Sequence, residues 1–562
     1  MAGTLTERRL PVRVLLTRGS HDYHETVQPL LRSLEATQHF EITTVSSFDA
    51  LVAGRLAVVA SDEPLAAGQA RALKEFVSGG GGLVLLHGTL AAWSADGELA
   101  ELTGWMPSGP GPLTELVVKA SADHPISARL GPDVKLIDEL YLAEGPPIDA
   151  NVFLTCNWKF THQVVAYERK VGDGAVVFLG LGHSASTFES AAVQKVIHRS
   201  LLFAGRRTSV PTVGIGLIGY GAIARAHAAA IGATQGLRLG GVCDVSSERR
   251  EVAEREWNMK AHSTAAALFD DPNVDMVVVG TPPNVHAESV LGALAAGKHV
   301  VCEKPFALHV KDVDRMVDAA ERGRRVLTVY QSRRWDSDFV ALLDTVRSGT
   351  IGDPFYMESF IGGYSHPCDY WHSHEPISGG TIYDWGSHYF DWLLQLFPGM
   401  VTSVSAAAHK RVWHDVTNSD QVRVDLTFEG GAQANFLQSD IAAALKPKWY
   451  VLGTRGAVTG EWQHATVQSR SATGDLIEEH LAPADSPARL KIFRPSENGP
   501  SHEETLSLAR REEHGFYRNL ADHLIWSEPL AVPAAEARRN VAVMESAAHS
   551  ITRGGERLEV RI

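Results

Sequence analysis

The stretch TVGIGLIGYGAIARAHAAAI (212–231) constrains this chain more than any other. An apolar run with strand character passes through Gly219 and Gly221 into an alanine-rich helix, and Ala224 completes a G-x-G-x-x-A spacing. The first glycine permits a tight turn. The second lets a pyrophosphate approach the backbone, the small third residue lets helix and strand pack closely, and the helix N-terminus faces the phosphates. Glycine pairs alone are common in a chain with 50 glycines; the strand before and the helix after make this one specific. Gly219, Gly221, Ala222 and Ile223 are therefore expected to cradle a dinucleotide. The next strand, LRLGGVCD (237–244), ends in Asp244. An acid there can accept hydrogen bonds from both ribose hydroxyls and repels a 2′-phosphate, which favours NAD over NADP. Arg249 and Arg250 lie close enough to keep NADP open.

A chain of 562 residues exceeds one hydrophobic core, so several domains are expected. The first 205 or so residues alternate apolar strand-like runs, such as PVRVLLT (11–17), LAVVAS (56–61) and GLVLLHG (82–88), with helix-like stretches such as ETVQPLLRSLEA (25–36) and GQARALKEFVSGG (68–80). That pattern predicts an open α/β sheet covered on both faces, of flavodoxin-like or amidotransferase-like type. A connector, GRRTSVP (205–211), marks a boundary, after which βα alternation restarts through MVVVGTP (276–282) and HVVCEKP (299–305). Past residue 335 the pattern changes. DQVRVDLTFEGGAQANFLQSD (420–440) alternates apolar and polar residues on both sides of Glu-Gly-Gly, a hairpin with one wet face. The expected domains are 1–206, a Rossmann domain at 211–333, and an α+β domain at 334–562 with a large, mostly antiparallel sheet. The tail AAEARRNVAVMESAAHSITRGG (534–555) reads as a helix ending at glycine, expected over about 534–552 and to pack back on the Rossmann domain.

The net charge of −14, without long acidic runs, argues against a nucleic-acid or anionic-membrane partner. Cys156, Cys243, Cys302 and Cys368 form no C-x-x-C pair, which suits a reducing compartment better than a disulfide framework or zinc ribbon. The first residues hold no long apolar core, and no apolar run reaches membrane-span length. A cytoplasmic homodimer or homotetramer is expected.

In TIYDWGSHYFDW (381–392), Asp384 and His388 lie one helical turn apart behind Gly379 and Gly380. A capped amphipathic helix explains that arrangement; so does a proton-handling pair facing a substrate. Three blocks decide. GLIGYGAIARAH, AGKHVVCEKPFAL (296–308) and SGGTIYDWGSHYFDW (378–392) together resemble the Gfo/Idh/MocA family, the glucose–fructose oxidoreductase and inositol dehydrogenase group, over residues 211 to 560. GTRGAV (453–458) and the stretch 516–547 fit as well. The resemblance implies a nicotinamide dinucleotide on the Rossmann domain and a sugar or cyclitol on the open face of the antiparallel sheet. It places the family's EKP motif on Glu303, Lys304 and Pro305, with Glu303 and Lys304 near the cofactor, and its D-x-x-x-H pair on Asp384 and His388. The chemistry agrees: oxidising a secondary alcohol sends a hydride to nicotinamide and a proton to a base, and histidine suits that exchange. Asp384 is expected to orient the ring, and Lys304 to donate to the reacting oxygen.

TPPNVHAE (281–288) follows a strand at the sheet's carboxyl edge, so Thr281, Pro282, Asn284 and His286 are expected to flank the nicotinamide. Arg333 in YQSRRW (330–335) is expected to enter the cleft. HPCDYWHSHE (366–375) reads as a sugar-binding loop in which Tyr370 and Trp371 stack and His372 bonds hydroxyls. Its His366, Cys368, His372 and His374 also read as a metal site, but the dehydrogenation needs none, and no metal is assigned. The leading expectation is an NAD-dependent oxidoreductase of a carbohydrate secondary hydroxyl, in a sugar, glycoside or cyclitol, with C3 of a glycoside one candidate. The rival is a redox-neutral glycoside hydrolase working through a 3-keto intermediate. A non-catalytic sugar sensor is disfavoured by the Lys304, Asp384 and His388 set.

Residues 11 to 205 resemble the ThuA-like (trehalose-utilisation) family, a branch of the class I glutamine amidotransferase-like fold. GSHDYHE (19–25), GGGGLVLLHGTLAAW (79–93), DHPI (123–126), DELY (138–141) and LGLGHSA (179–185) carry the resemblance. Glutamine hydrolysis needs a cysteine at a strand-to-helix elbow, and here that elbow carries His87. His24, His87, Glu139 and His183 collect at predicted strand ends, where open α/β sheets place their sites. They could supply acid–base groups acting on a keto-sugar, or ligands for a divalent metal; a purely structural domain is the alternative.

Overall fold

The computed structural model describes residues 9–17, 22–36, 39–93, 96–121, 124–127, 130, 134–143, 145–159, 161–205, 212–368, 370–397, 399–463, 466–470, 476–480, 485–496, 499–508, 513–526 and 528–562. Most of the GRRTSVP connector, Gly19 to His21 of GSHDYHE and Asp123 of DHPI lie outside the described residues. The chain divides into two compact units, Met1–Pro211 with Asp522–Glu528, and Thr212–Ala521 with Pro529–Ile562.

The first unit is built on a nine-stranded sheet. Its parallel half runs in the order Phe40–Val45, Leu10–Leu16, Leu56–Ala60, Gly82–Leu86, Gly174–Leu179. This is the 2-1-3-4 succession of flavodoxin-like sheets. The central strands are buried along their whole length, as strands covered on both faces must be. The helix Gln69–Ser78 turns Ala70, Leu73 and Val77 inward at helical spacing. The other half corrects the simple α/β expectation. Thr161–Val171, Asn151–Trp158, Gly109–Ala120 and Val134–Leu142 continue the sheet antiparallel. These strands mix exposed and buried positions, so no continuous apolar run betrays them. ETVQPLLRSLEA also proves to be parts of two helices, Tyr23–Thr26 and Gln28–Ala36, parted at Val27.

Among the described residues the second unit has two large sheets and a two-stranded one, Thr466–Arg470 with Leu476–His480. Six parallel strands stand in the order Ala261–His262, Leu237–Cys243, Val213–Ile218, Met276–Val279, His299–Cys302, Leu327–Val329. In sequence order that is 3-2-1-4-5-6, the Rossmann arrangement. The second sheet has nine strands, all antiparallel neighbours except Pro354–Gly362 beside Gln433–Ser439. The expected hairpin forms from Gln421–Phe428 and Gln433–Ser439. The helix Ala534–Thr552 packs on Val401–His409, on Gly386–Leu396 and on the Rossmann helix Val310–Gly323. Thr328 Oγ1 donates to the Val532 carbonyl at 2.8 Å, pinning the start of this tail to the edge of the parallel sheet. No helix among the described residues is long and apolar enough to cross a membrane.

One buried ion pair underlies the second sheet. Lys448 Nζ lies 2.8 Å from Asp338 Oδ2, with both side chains almost fully enclosed. The ammonium also lies 4.6 Å from the Trp449 ring centre and 5.3 Å from that of Trp392. Asp338 accepts further hydrogen bonds from the backbone N–H groups of Phe339 and Ala488. Removing one partner leaves an uncompensated charge in an apolar setting, which costs about 3–5 kcal/mol. Lys448→Met is therefore expected to destabilise the chain by that amount in denaturant unfolding, and Lys448→Met with Asp338→Leu by less than Lys448→Met alone.

Candidate active site

The cofactor loop is built as its sequence requires. Gly219 takes φ +89°, and a Cβ there would stand 2.9 Å from the Gly280 carbonyl oxygen, so the turn needs glycine. At Gly221 a Cβ would meet nothing within 4 Å: the space before the helix Ala222–Ala233 is open to a phosphate. Ala224 is buried against the sheet. Asp244 ends its strand with Oδ2 accepting from Tyr220 N at 2.7 Å and Oδ1 from Ser246 N at 2.8 Å. Arg249 stands 3.6 Å from the same carboxylate on an exposed side chain, while Arg250 is tied to the carbonyls of Asp244 and Val245. Glycines, helix N-terminus and acid fit a dinucleotide.

Thr281 and Pro282 are half-buried and Asn284 exposed on the turn after Met276–Val279. His286 corrects the expectation that it flanks the cofactor. It is fully buried, with Nδ1 2.9 Å from the Pro305 carbonyl and Nε2 2.7 Å from that of Thr281. The ring staples the two loops together instead of facing a ligand.

From the cofactor loop a cleft of about 500 Å³ runs past Ile223, Glu303 and Lys304 to Arg333, Tyr370, His372, Asp384 and His388. Lys304 Nζ lies 3.0 Å from Asp384 Oδ1. Burial alone would raise the Asp384 carboxyl; the ammonium of Lys304, with His372 and Arg333, outweighs it and holds the group below its ordinary range. Glu303 is held low in spite of burial by His227, whose Nε2 is 2.8 Å from Oε1 and whose Nδ1 meets the Tyr517 hydroxyl at 2.7 Å.

His388 is buried, and its pairing differs from expectation. TIYDWGSHYFDW forms two helical segments, Thr381–Asp384 and Gly386–Leu396, parted at Trp385. Asp384 turns to Lys304, and His388 Nδ1 meets Gln331 Oε1 at 3.2 Å. Gln331 is itself fixed, because its Nε2 donates to the Ser387 carbonyl at 3.0 Å. That orientation puts the hydrogen on Nδ1 and leaves Nε2 as the proton-accepting nitrogen. Burial, then the charges of Lys304 and Arg333, push the imidazole well below the usual histidine range. Arg333 lies over the Trp385 ring at 4.7 Å and pairs with Asp336 and Asp485.

Tyr370 and His372 line the cleft, whereas Trp371 stacks on His372 at 3.7 Å and is not part of the lining. Among the described residues, His366, Cys368, His372 and His374 do not gather as a ligand set. Sequence reasoning missed Gln331, Asn418, Gln438 and Asp440. Asn418 holds the His372 carbonyl at 2.8 Å, and Gln438 and Asp440 stand at the end of the hairpin strand Gln433–Ser439. The acid closing that strand was the available signal. Burial, reinforced by Asp384 and Asp420, pushes Asp440 up to about 6.

In the first unit the structure gathers three of the four candidates. His87 Nε2 lies 3.9 Å from Glu139 Oε1, and His183 Nδ1 3.7 Å from Glu139 Oε2. His24 is not in the group; its neighbour Tyr23 turns toward His87, with ring centres 6.4 Å apart.

Residues 213–331 match the oxidoreductase family with an NAD-binding Rossmann fold, and 339–459 match the GFO/IDH/MocA C-terminal domain. A 1,5-anhydro-D-fructose reductase of Ensifer adhaerens is 31% identical over 46% of this chain and 80% of its own length. The chain belongs to the Gfo/Idh/MocA oxidoreductase family. Within that family, the myo-inositol 2-dehydrogenase of Thermotoga maritima is 34% identical over 39% of this chain and 66% of its own. The crystal structure of an NAD-binding protein from Listeria innocua matches with a TM-score of 0.52 and 28% identity, over 62% of this chain and 97% of that one. Residues 13–204 match the trehalose-utilisation family ThuA, so a ThuA domain is fused to this Gfo/Idh/MocA oxidoreductase.

The raised Asp440 makes a stability prediction. Its carboxyl titrates near 6 in the fold and about 4 in an unfolded chain, so wild-type stability falls as pH rises between those values. Asp440→Asn is expected to raise the melting temperature above pH 6 and to lose that advantage below about pH 4.

Proposed function

We propose that the second unit oxidises a secondary hydroxyl of a carbohydrate or cyclitol with NAD. The observation that carries this reading is the single cleft that joins Ile223, beside the cofactor glycines, to Lys304, Asp384 and His388. The similarity to an inositol dehydrogenase and an anhydrofructose reductase supports the substrate class. When bound, the nicotinamide supplies a two-electron hydride acceptor. The chain's own groups do the rest. Lys304 donates a hydrogen bond to the reacting oxygen and favours its alkoxide character. His388 Nε2 takes the hydroxyl proton as the C–H electron pair leaves and the C=O bond forms. Asp384 aims the Lys304 ammonium, and Gln331 fixes the imidazole tautomer. Arg333, Tyr370 and His372 bind the remaining hydroxyls.

A redox-neutral glycoside cleavage is the second reading, and Asp440 favours it: a carboxyl near 6 in the same cleft could exchange the proton beside a transient ketone. A screen of glycosides and cyclitols with NAD and product analysis separates the two. Oxidation yields NADH in step with product; cleavage needs NAD only in catalytic amounts. In either case His388→Ala should lower turnover about 10²- to 10⁴-fold while NAD still binds. The base must be neutral to act, and its proton affinity is depressed, so the acid limb of kcat/KM should fall below roughly pH 6.5. Near-normal turnover in His388→Ala would assign the base elsewhere.

For the cofactor, we propose that Asp244 selects NAD. Each of its oxygens accepts one backbone N–H, which leaves acceptor capacity for the ribose hydroxyls and negative charge against a 2′-phosphate. Asp244→Ser should shift the ratio of NADP to NAD affinity toward NADP, with exposed Arg249 available to the phosphate. Equal affinities in the wild type would reject the assignment.

A further inference from the structure

We infer that the first unit holds a divalent transition-metal ion between His87 Nε2, Glu139 and His183 Nδ1. The ion would keep open positions for adjacent oxygens of a small polyhydroxy or hydroxy-carbonyl ligand. The three ligand atoms all lie within 4.8 Å of one another. The two histidine-to-carboxylate separations, 3.9 and 3.7 Å, are too long for hydrogen bonds. They are close to what a shared ion needs: ligands about 2.1 Å from a tetrahedral centre stand roughly 3.4 Å apart. Two imidazoles and one carboxylate suit zinc, manganese, iron or cobalt rather than calcium or magnesium, whose ligand sets are oxygen throughout.

The surroundings are those of a built site. His87 follows the strand Gly82–Leu86 and takes φ +49°, in the left-handed region that only the turn before Thr89–Ala92 imposes. Its Nδ1 is 3.3 Å from the Gly180 carbonyl, which places the hydrogen on Nδ1 and the lone pair on Nε2, facing the carboxylate. One buried carboxylate, Asp138, positions the other two ligands. It accepts from Glu139 N at 2.7 Å, His183 N at 3.1 Å, Gly182 N at 3.0 Å and Thr187 Oγ1 at 2.6 Å. The site lies where the parallel strands Gly82–Leu86 and Gly174–Leu179 end side by side, the edge at which open α/β sheets bind ligands.

Two tyrosines border it. The Tyr141 ring lies 5.0 Å from that of His87, and a Cβ on Gly88 would meet the Tyr141 hydroxyl at 2.5 Å. The Tyr23 ring stands 6.4 Å from that of His87, and the two phenol hydroxyls are suited to hydrogen-bond an oxygen held on the ion. The arrangement does not depend on the chemistry of the second unit.

The test uses the full chain, stripped with a chelator and titrated with Co²⁺ alone, then with Zn²⁺ in competition. The wild type should take up one equivalent, with visible absorption bands of low-symmetry cobalt and a raised melting temperature. Glu139→Gln and His183→Gln should each weaken uptake by 100-fold or more and abolish the bands, while circular dichroism stays that of the wild type. Tyr141→Phe should keep the stoichiometry and shift the bands. Substoichiometric uptake by the wild type would overturn the site, as would uptake and spectra unchanged in both ligand variants.

Discussion

A lysine ammonium held 3.0 Å from a carboxylate keeps one charged pair in the buried cleft of the second unit. Lys304 comes from the loop after a Rossmann strand and Asp384 from the short helix Thr381–Asp384. Their pairing keeps Asp384 ionised against burial. The same positive charge helps keep His388 neutral, and the negative charge helps lift Asp440. Burial first, and then this one pair, push two groups of the cleft in directions that suit a base and an acid, and the pair need not itself exchange a proton. The loop behind it is stiffened by buried histidines, His227 through Glu303 and His286 through the Pro305 carbonyl.

How far the residues alone disclose this molecule depends on how local each feature is. The glycine loop, its strand and its helix occupy one short stretch, and the hairpin around Glu429, Gly430 and Gly431 is equally local; both are legible. The antiparallel half of the first sheet is not, because strands such as Gly109–Ala120 expose part of their length and lack the unbroken apolar runs of the parallel half. In the candidate sites, spacing or resemblance points to residues such as Lys304 and His388, while residues brought in by tertiary contact carry no such signal. Gln331 reaches His388 across 57 positions, and an amide near a known motif has no signature of its own. Helical spacing suggested that Asp384 serves His388, but the break at Trp385 and the pull of Lys304 defeat it. His286 looked like a ligand because it sits at a strand end, yet both its nitrogens are taken by backbone carbonyls. In the first unit His24 is a candidate by residue type, but the short helix turns Tyr23 inward instead.

The elbow of the first unit shows how one backbone position can serve different chemistries. A strand that ends in a left-handed residue before a helix thrusts that side chain out at the sheet's edge. With cysteine the elbow would offer a nucleophile. With His87 it offers a nitrogen donor of fixed tautomer, and the neighbouring strand end supplies His183 from a loop that Asp138 holds through its backbone.

The Ser387 carbonyl accepts from two amides, Gln331 at 3.0 Å and Asn540 at 2.6 Å. Asn540 sits in the long tail helix, so the backbone next to His388 is braced by a segment far along the chain. During synthesis the Rossmann strands and the cleft helix emerge well before that segment. A growing chain can therefore possess the cofactor loop, the lysine and the histidine while the Ser387 carbonyl still lacks one of its two donors. The brace beside His388 is therefore complete only once residue 540 has been made.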